Sequence, residues 1–206
     1  QALADNIAHK GSKLICVEGK SIEVIPKLAK KFKVDRVVAH RWVEPFGQKR
    51  DQIIREALTV PFELFEGETL HPPGCLRTGK GTPFGVFTPF SKKFRNTVRI
   101  QPSIGAPKSI PALPTLPKVQ EAKIPTLQSL GIKPNPNIQK GGEKAGKERL
   151  KHYLQQGSAH YHEMRDRMDQ PGTSRLSADI KFGTLSIRTI WNAIDRHLPE
   201  GEAKRI

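Results

Sequence analysis

The chain has 206 residues, 36% of them hydrophobic, and its 35 Lys+Arg outweigh 20 Asp+Glu for a formal net charge of +15 at pH 7. That composition excludes a disordered tail, leaves room for one sizeable domain or two small ones, and makes a polyanion the natural partner, either nucleic acid or a phosphate-rich ligand. The 2 cysteines give neither a disulfide framework nor a metal spacing, no apolar run approaches a membrane span, and the first residues read as neither signal nor transit peptide, so a soluble, cytoplasmic monomer is expected.

Residues 2–8 read as a helix already under way, and an opening at Gln1 in place of Met suggests a fragment or a processed product. Residues 13–18 read as a buried strand because Leu14, Ile15, Cys16 and Val17 are contiguous. Over 21–33, Ile25, Leu28, Ala29 and Phe32 fall at helical spacing, with Ser21 placed to cap the helix. Residues 36–40 carry Val37, Val38 and Ala39 as a second strand. Residues 44–59 read as a helix with Ile53, Ile54, Ala57 and Leu58 on its apolar face, and 62–65 as a third strand at the sheet edge after Pro61. Alternating strands and helices imply a parallel α/β layer over residues 1–100.

Eight of the 17 prolines lie between Gln101 and Pro136, which reads as an extended interdomain linker over 101–140. Beyond it the pattern is all-helical, over 141–206. Ala145, Leu150, Tyr153 and Leu154 mark a helix over 141–156, and Tyr161, Met164 and Met168 a second over 158–169. Ile187, Ile190, Trp191 and Ile194 form one face of a third, capped by Ser186.

Chemistry concentrates in Gly172-Thr173-Ser174-Arg175-Leu176-Ser177, followed by Lys181-Phe182-Gly183-Thr184-Leu185-Ser186. Three hydroxyls and a guanidinium share one turn that enters a helix. Free N–H groups, hydroxyl donors and the helix dipole suit such a turn to a phosphate; helix capping alone is the competing reading. His160 and His162 flank Tyr161 but point to different helix faces with no third ligand at zinc spacing. Lys80 in Gly79-Lys80-Gly81-Thr82 lacks the spacing of a phosphate-binding nucleotide loop and reads as a turn.

Four blocks together resemble the DNA photolyase and cryptochrome family, most nearly its bacterial repair photolyases. They are His40-Arg41-Trp42-Val43-Glu44-Pro45-Phe46 ending in Lys49-Arg50-Asp51; Arg77-Thr78-Gly79-Lys80-Gly81-Thr82-Pro83-Phe84; Val86-Phe87-Thr88-Pro89-Phe90; and Gly141-Gly142-Glu143 leading to the double motif. The resemblance implies a partial Rossmann-like antenna domain, a Pro-rich linker and the first helices of a helical FAD-binding domain. It implies that Thr173, Ser174, Arg175, Leu176 and Ser177, with Tyr161 twelve residues before Thr173, contact FAD. Tyr161 also fits a plain helix-face aromatic.

The same resemblance implies that Arg165 meets a DNA phosphate, the alternative being a helix-surface pair with Asp169. It implies that Glu44 touches an antenna chromophore, methenyltetrahydrofolate or a deazaflavin, the alternative being an acid that favours a helix N-terminus. The implied activity is light-driven repair of pyrimidine dimers in damaged DNA by an electron from reduced FAD. Because the family's opening strand-helix-strand unit and its later flavin, lesion and tryptophan residues have no counterpart here, an internal piece inactive by itself is expected. A cryptochrome-type blue-light receptor and a non-enzymatic basic nucleic-acid-binding domain are the other functions the sequence admits.

Overall fold

In the computed structural model, which describes residues 1–198, the chain forms two units: Gln1–Phe65 with Gly105–Lys140, and Glu66–Ile104 with the chain from Gly141. Residues 199–206 of the expected helical domain lie outside the described residues.

The first unit contains α1 (Ala2–His9), α2 (Ser21–Phe32), β1 (Val37–His40), α3 (Pro45–Ala57) and β2 (Phe62–Phe65). β1 and β2 pair in parallel, Val37 opposite Phe62 and His40 opposite Phe65, and α3 is the crossover between them. Parallel strands require such a crossover, so the expected α/β layer is present in its smallest form. Ile54 of α3 is 1% exposed and Ala29 of α2 is buried, so the apolar stripes of these helices form the unit's core. Ser21 is the first helical residue and Lys20 the N-cap, in place of the expected Ser21 cap. Lys33 closes α2 in the left-handed conformation, φ 49°.

Residues 13–18 are not a strand. They lie beside residues 110–122, tied by single bonds such as Ala122 N to Cys16 O at 2.8 Å and, just before them, Ile110 N to Lys10 O at 2.7 Å, with Lys13 paired to Glu121 at 2.6 Å. A ladder cannot propagate there, because Pro111, Pro114 and Pro117 carry no N–H to donate. Thus most of the Pro-rich stretch expected as a linker, Gly105–Lys140, belongs to this unit.

The second unit is helical among the described residues: α4 (Phe87–Thr97), α5 (Glu143–Gln156), α6 (Tyr161–Met164), α7 (Ser177–Lys181) and α8 (Ile187–His197). An α/β portion followed by helices is therefore the architecture. α4 was not foreseen from the sequence; Pro89 is its third residue, inside the first turn, where a missing N–H breaks no helical bond. An aromatic ladder carries α4 onto α8: Phe84 to Phe90 at 5.9 Å, Phe90 to Phe94 at 6.0 Å and Phe94 to Trp191 at 5.7 Å between ring centroids.

The helix expected over 158–169 is confined to a 3-10 turn, Ser158–His160, and the single turn of α6. Met168, which its apolar face would need, is wholly exposed, so nothing packs to sustain the extra turns. Buried Leu150, Leu176, Leu185 and Ile190 form the core, flanked by Leu154, Ala193 and Ile194.

Candidate functional site

Leu176 fastens the hydroxyl-rich turn to this core. Its side chain is 2% exposed, packed with Leu150 and Leu185, while Thr173, Arg175 and Ser177 around it are exposed and Ser174 is half-buried. Arg175 has φ 53°, in the left-handed region that non-glycine residues avoid at a cost of about 1 kcal/mol. Leu176 follows with φ −91°. Successive residues of opposite φ turn their N–H groups into one concavity, a geometry that receives anions.

The donors of the turn are uncommitted among the described residues. The Thr173, Ser174 and Ser177 hydroxyls and the Arg175 guanidinium form no hydrogen bond or ion pair, and neither α7 nor α8 has a side-chain cap. Capping does not account for these hydroxyls. Because α7 has only 5 residues, its dipole contributes little, and an anion here would be held by N–H groups, hydroxyls and the arginine.

Behind the turn lies a buried charge pair. Arg149 of α5 donates from Nε to Oδ2 of Asp179 at 2.9 Å and from Nη2 to Oδ1 at 2.6 Å, and Thr184 Oγ1 donates to Oδ1 at 2.7 Å. Asp179 is 2% exposed, so only this full set of donors makes its charge tolerable. The Arg149 bond, aided by Thr184, holds the Asp179 carboxyl below the usual range despite burial. Gly146 makes room for the pair: a Cβ there would lie 2.8 Å from Asp179 Oδ1.

The short helix that carries Tyr161 lies against the residue before the turn. A Cβ on Gly172 would lie 2.4 Å from Met164 Cβ and 2.5 Å from Met164 O, so the backbone at Gly172 presses directly on α6. Tyr161 is half-buried, edge-on to Tyr153 at 6.5 Å. The Tyr153 hydroxyl is buried without a hydrogen-bond partner, and burial pushes its pKa up to about 12.

The other expected residues stand apart. Exposed Arg165 pairs with neighbouring Asp166 at 3.3 Å; Asp169, the alternative partner, is taken by Arg167 at 2.6 Å. Glu44 is the exposed N-cap residue of α3, and its side chain makes no capping bond. His160 and His162 both approach Glu163, at 3.9 and 3.5 Å. Among the described residues no cluster of three His, Cys, Asp or Glu could hold a metal, and no helix is long and apolar enough to cross a membrane. Lys80 lies on a tight turn closed by Thr78 N to Thr82 O and Gly81 N to Thr78 O, both 2.9 Å.

The DNA photolyase family model matches residues 1–115. The chain belongs to the DNA photolyase family. It is 33% identical over 205 residues to the deoxyribodipyrimidine photo-lyase of Thermus thermophilus, covering 99% of this chain and 44% of that protein. It is 31% identical over 202 residues to an uncharacterized 31.6 kDa protein of Synechococcus sp., covering 96% of this chain and 70% of the relative. The cryptochrome structure from Synechocystis superposes with a TM-score of 0.83 at 25% identity, over 99% of this chain and 45% of that one. This photolyase-family chain thus spans less than half the length of the Thermus photo-lyase and of the Synechocystis cryptochrome, and 70% of the Synechococcus relative.

Two features around the turn were not found from sequence. Asp179 looks like any acid in the first turn of a helix, and nothing local links it to Arg149, 30 residues earlier. The close approach at Gly172 left one readable trace, a glycine directly before the hydroxyl run.

Proposed function

We propose that the Thr173–Ser177 turn holds the pyrophosphate of a flavin dinucleotide, and that the protein acts in light-driven repair of pyrimidine dimers in DNA. The observation that carries this reading is a turn with uncommitted hydroxyl and N–H donors and a left-handed Arg175, clamped from behind by Leu176 and the Arg149–Asp179 pair. These donors fit a phosphate group: Thr173, Ser174 and Ser177 donate to its oxygens, and Arg175 balances its charge. Leu176 serves through its burial, excluding water beneath the turn, and Tyr161, on the short helix that Gly172 packs against, is assigned to the same cofactor. When bound, reduced flavin would supply a light-excited electron to the dimer and recover it after ring opening, leaving no net oxidation. Arg165 is assigned to a backbone phosphate, which positions DNA without reading sequence. Glu44 is assigned to an antenna chromophore, a folate or a deazaflavin, and residues 1–100, 101–140 and 141–206 to antenna, linker and flavin-binding portions.

The test has two parts. FAD titrated into the protein is expected to bind more weakly when Thr173 and Ser177 are both alanine; unchanged affinity would overturn the turn's assignment. Blue light is expected to restore dimer-containing oligonucleotides in the presence of the flavin-loaded protein. The likeness to the Synechocystis cryptochrome favours a second reading, a flavin blue-light receptor, which predicts flavin binding without dimer splitting.

A further inference from the structure

Pro111, Pro114 and Pro117 recur at every third residue, with Lys108 three residues before the first. A proline fixes its own φ at about −65° and disfavours helical backbone in the residue before it, so Ile110, Leu113 and Leu116 are constrained too. Only Ala112 and Thr115 keep ordinary freedom. Such a run is preset to the left-handed polyproline helix, whose three residues per turn line up every third side chain. Accordingly no helix, strand or turn forms over 109–126, and residues 111–117 make no hydrogen bond among the described residues.

The first unit holds this segment by its ends and by one edge. Lys10 Nζ donates to Pro107 O and Lys31 Nζ to Lys118 O, both at 2.6 Å, while Ile110 N bonds to Lys10 O and Ala122 N to Cys16 O. Leu113 and Leu116 line a cleft with Phe32, and Val119, three residues on, lines another with Leu28, so this apolar edge is turned to the fold. Pro111, Pro114 and Pro117 follow one another on a different edge and are exposed, although Pro114 also borders the first cleft. Lys108 and Lys118 are exposed at the two ends, and neither ammonium forms an ion pair among the described residues.

We infer that residues 108–118 form a docking ridge for a second protein, a small folded domain of the SH3 kind with an aromatic-lined groove and an acidic rim. Aromatic faces pack on the proline rings, and rim carboxylates meet the Lys108 ammonium. The free carbonyls along 111–117 accept hydrogen bonds from donors in the groove. Because the ridge is already held on its own fold, docking orders little further chain, which favours affinity. Nucleic acid and anionic membranes fit less well, since a proline carries no N–H and the exposed proline edge offers phosphates no donor. The ridge belongs to the first unit and is independent of any flavin at the Thr173–Ser177 turn.

The test is a titration of the 206-residue protein with an SH3 domain that takes Lys-x-x-Pro-x-x-Pro ligands, followed by isothermal titration calorimetry. Saturable binding of one domain per chain is expected. Pro111→Ala combined with Pro114→Ala should weaken it about tenfold. Lys108→Glu changes an exposed side chain that the fold does not use, and should weaken it about threefold. Far-UV circular dichroism verifies folding, and Lys108→Glu decides the matter if the proline variant is unstable. Pro134→Ala with Pro136→Ala, an exposed pair outside the ridge, should bind like wild type. No binding by the wild-type protein would overturn the proposal, as would unchanged affinity in the ridge variants. Equal losses in the ridge and control variants would overturn it in favour of diffuse contact with exposed prolines.

Discussion

Arg149 meets Asp179 side-on, two parallel hydrogen bonds of 2.9 and 2.6 Å joining α5 to the helix that follows the hydroxyl turn. The Asp179 side chain is almost fully enclosed and the Arg149 side chain is 20% exposed, so the pair sits where water compensates poorly for a lost partner. Asp179→Ala, which leaves the arginine unpaired, is expected to cost about 3 kcal/mol, read by urea denaturation. The pH dependence follows from the direction of the shift. The folded-state pKa of Asp179 is depressed, first by the Arg149 bond, so its stabilisation is fully present above the ordinary carboxylate range and is lost as pH falls toward the folded value. Asp179→Asn should therefore be less stable than wild type at neutral pH, with the gap closing on acidification. A gap that stayed constant to low pH would contradict the ion pair.

The free hydroxyls separate two roles that the sequence left open. A capping Ser or Thr replaced by Ala costs about 1 kcal/mol, whereas a surface hydroxyl without a partner changes stability by no more than about 0.5 kcal/mol. Since α7 and α8 have no side-chain cap, Thr173→Ala with Ser177→Ala should leave the denaturation midpoint almost unmoved while weakening flavin binding. A loss of stability without a loss of flavin affinity would return these residues to ordinary capping.

Legibility in the sequence followed the range of the interactions. β1, α3 and β2 were readable because contiguous β-branched residues, a periodic apolar stripe and Pro61 act locally. Residues 13–18 carry the same apolar signal as a strand. Whether they become one depends on what lies alongside, and a proline-bearing segment a hundred residues away cannot complete a ladder. α4 was hidden for the opposite reason: a proline and clustered phenylalanines look like a loop until Trp191 supplies a surface for them. In the site, the hydroxyl turn was visible as residues. Its rigidity was not, since the Arg149–Asp179 pair and the Gly172–Met164 approach exist only after folding.

Gly172 is the position where a small change should do most harm to the turn. Any Cβ there meets backbone atoms of Met164, including its carbonyl oxygen at 2.5 Å, so no rotamer change relieves the clash. Gly172→Ala is expected to cost about 1–3 kcal/mol, as overpacking does, and to loosen the turn from α6. Limited proteolysis should show faster cleavage near residues 165–175. Gly79→Ala, with nothing within 4 Å of its Cβ, is the matched control and should be close to neutral.

Tyr153 combines a well-packed ring with an unpaired hydroxyl. The ring is 5% exposed and stacks edge-on against Tyr161, so its apolar contacts belong to the fold. The hydroxyl is buried with no protein hydrogen-bond partner among the described residues, and burial has pushed its pKa up to about 12. A desolvated, unpaired hydroxyl costs about 1–3 kcal/mol, and removing it keeps the ring contacts. Tyr153→Phe should consequently raise Tm by about 2–12 °C, measured by differential scanning calorimetry. Tyr153→Ala should lower it sharply, because the cavity left by the ring outweighs the relief of the hydroxyl. A lower Tm for the phenylalanine variant would instead assign the hydroxyl a bound partner, and repeating the scan with FAD would show whether that partner is the flavin.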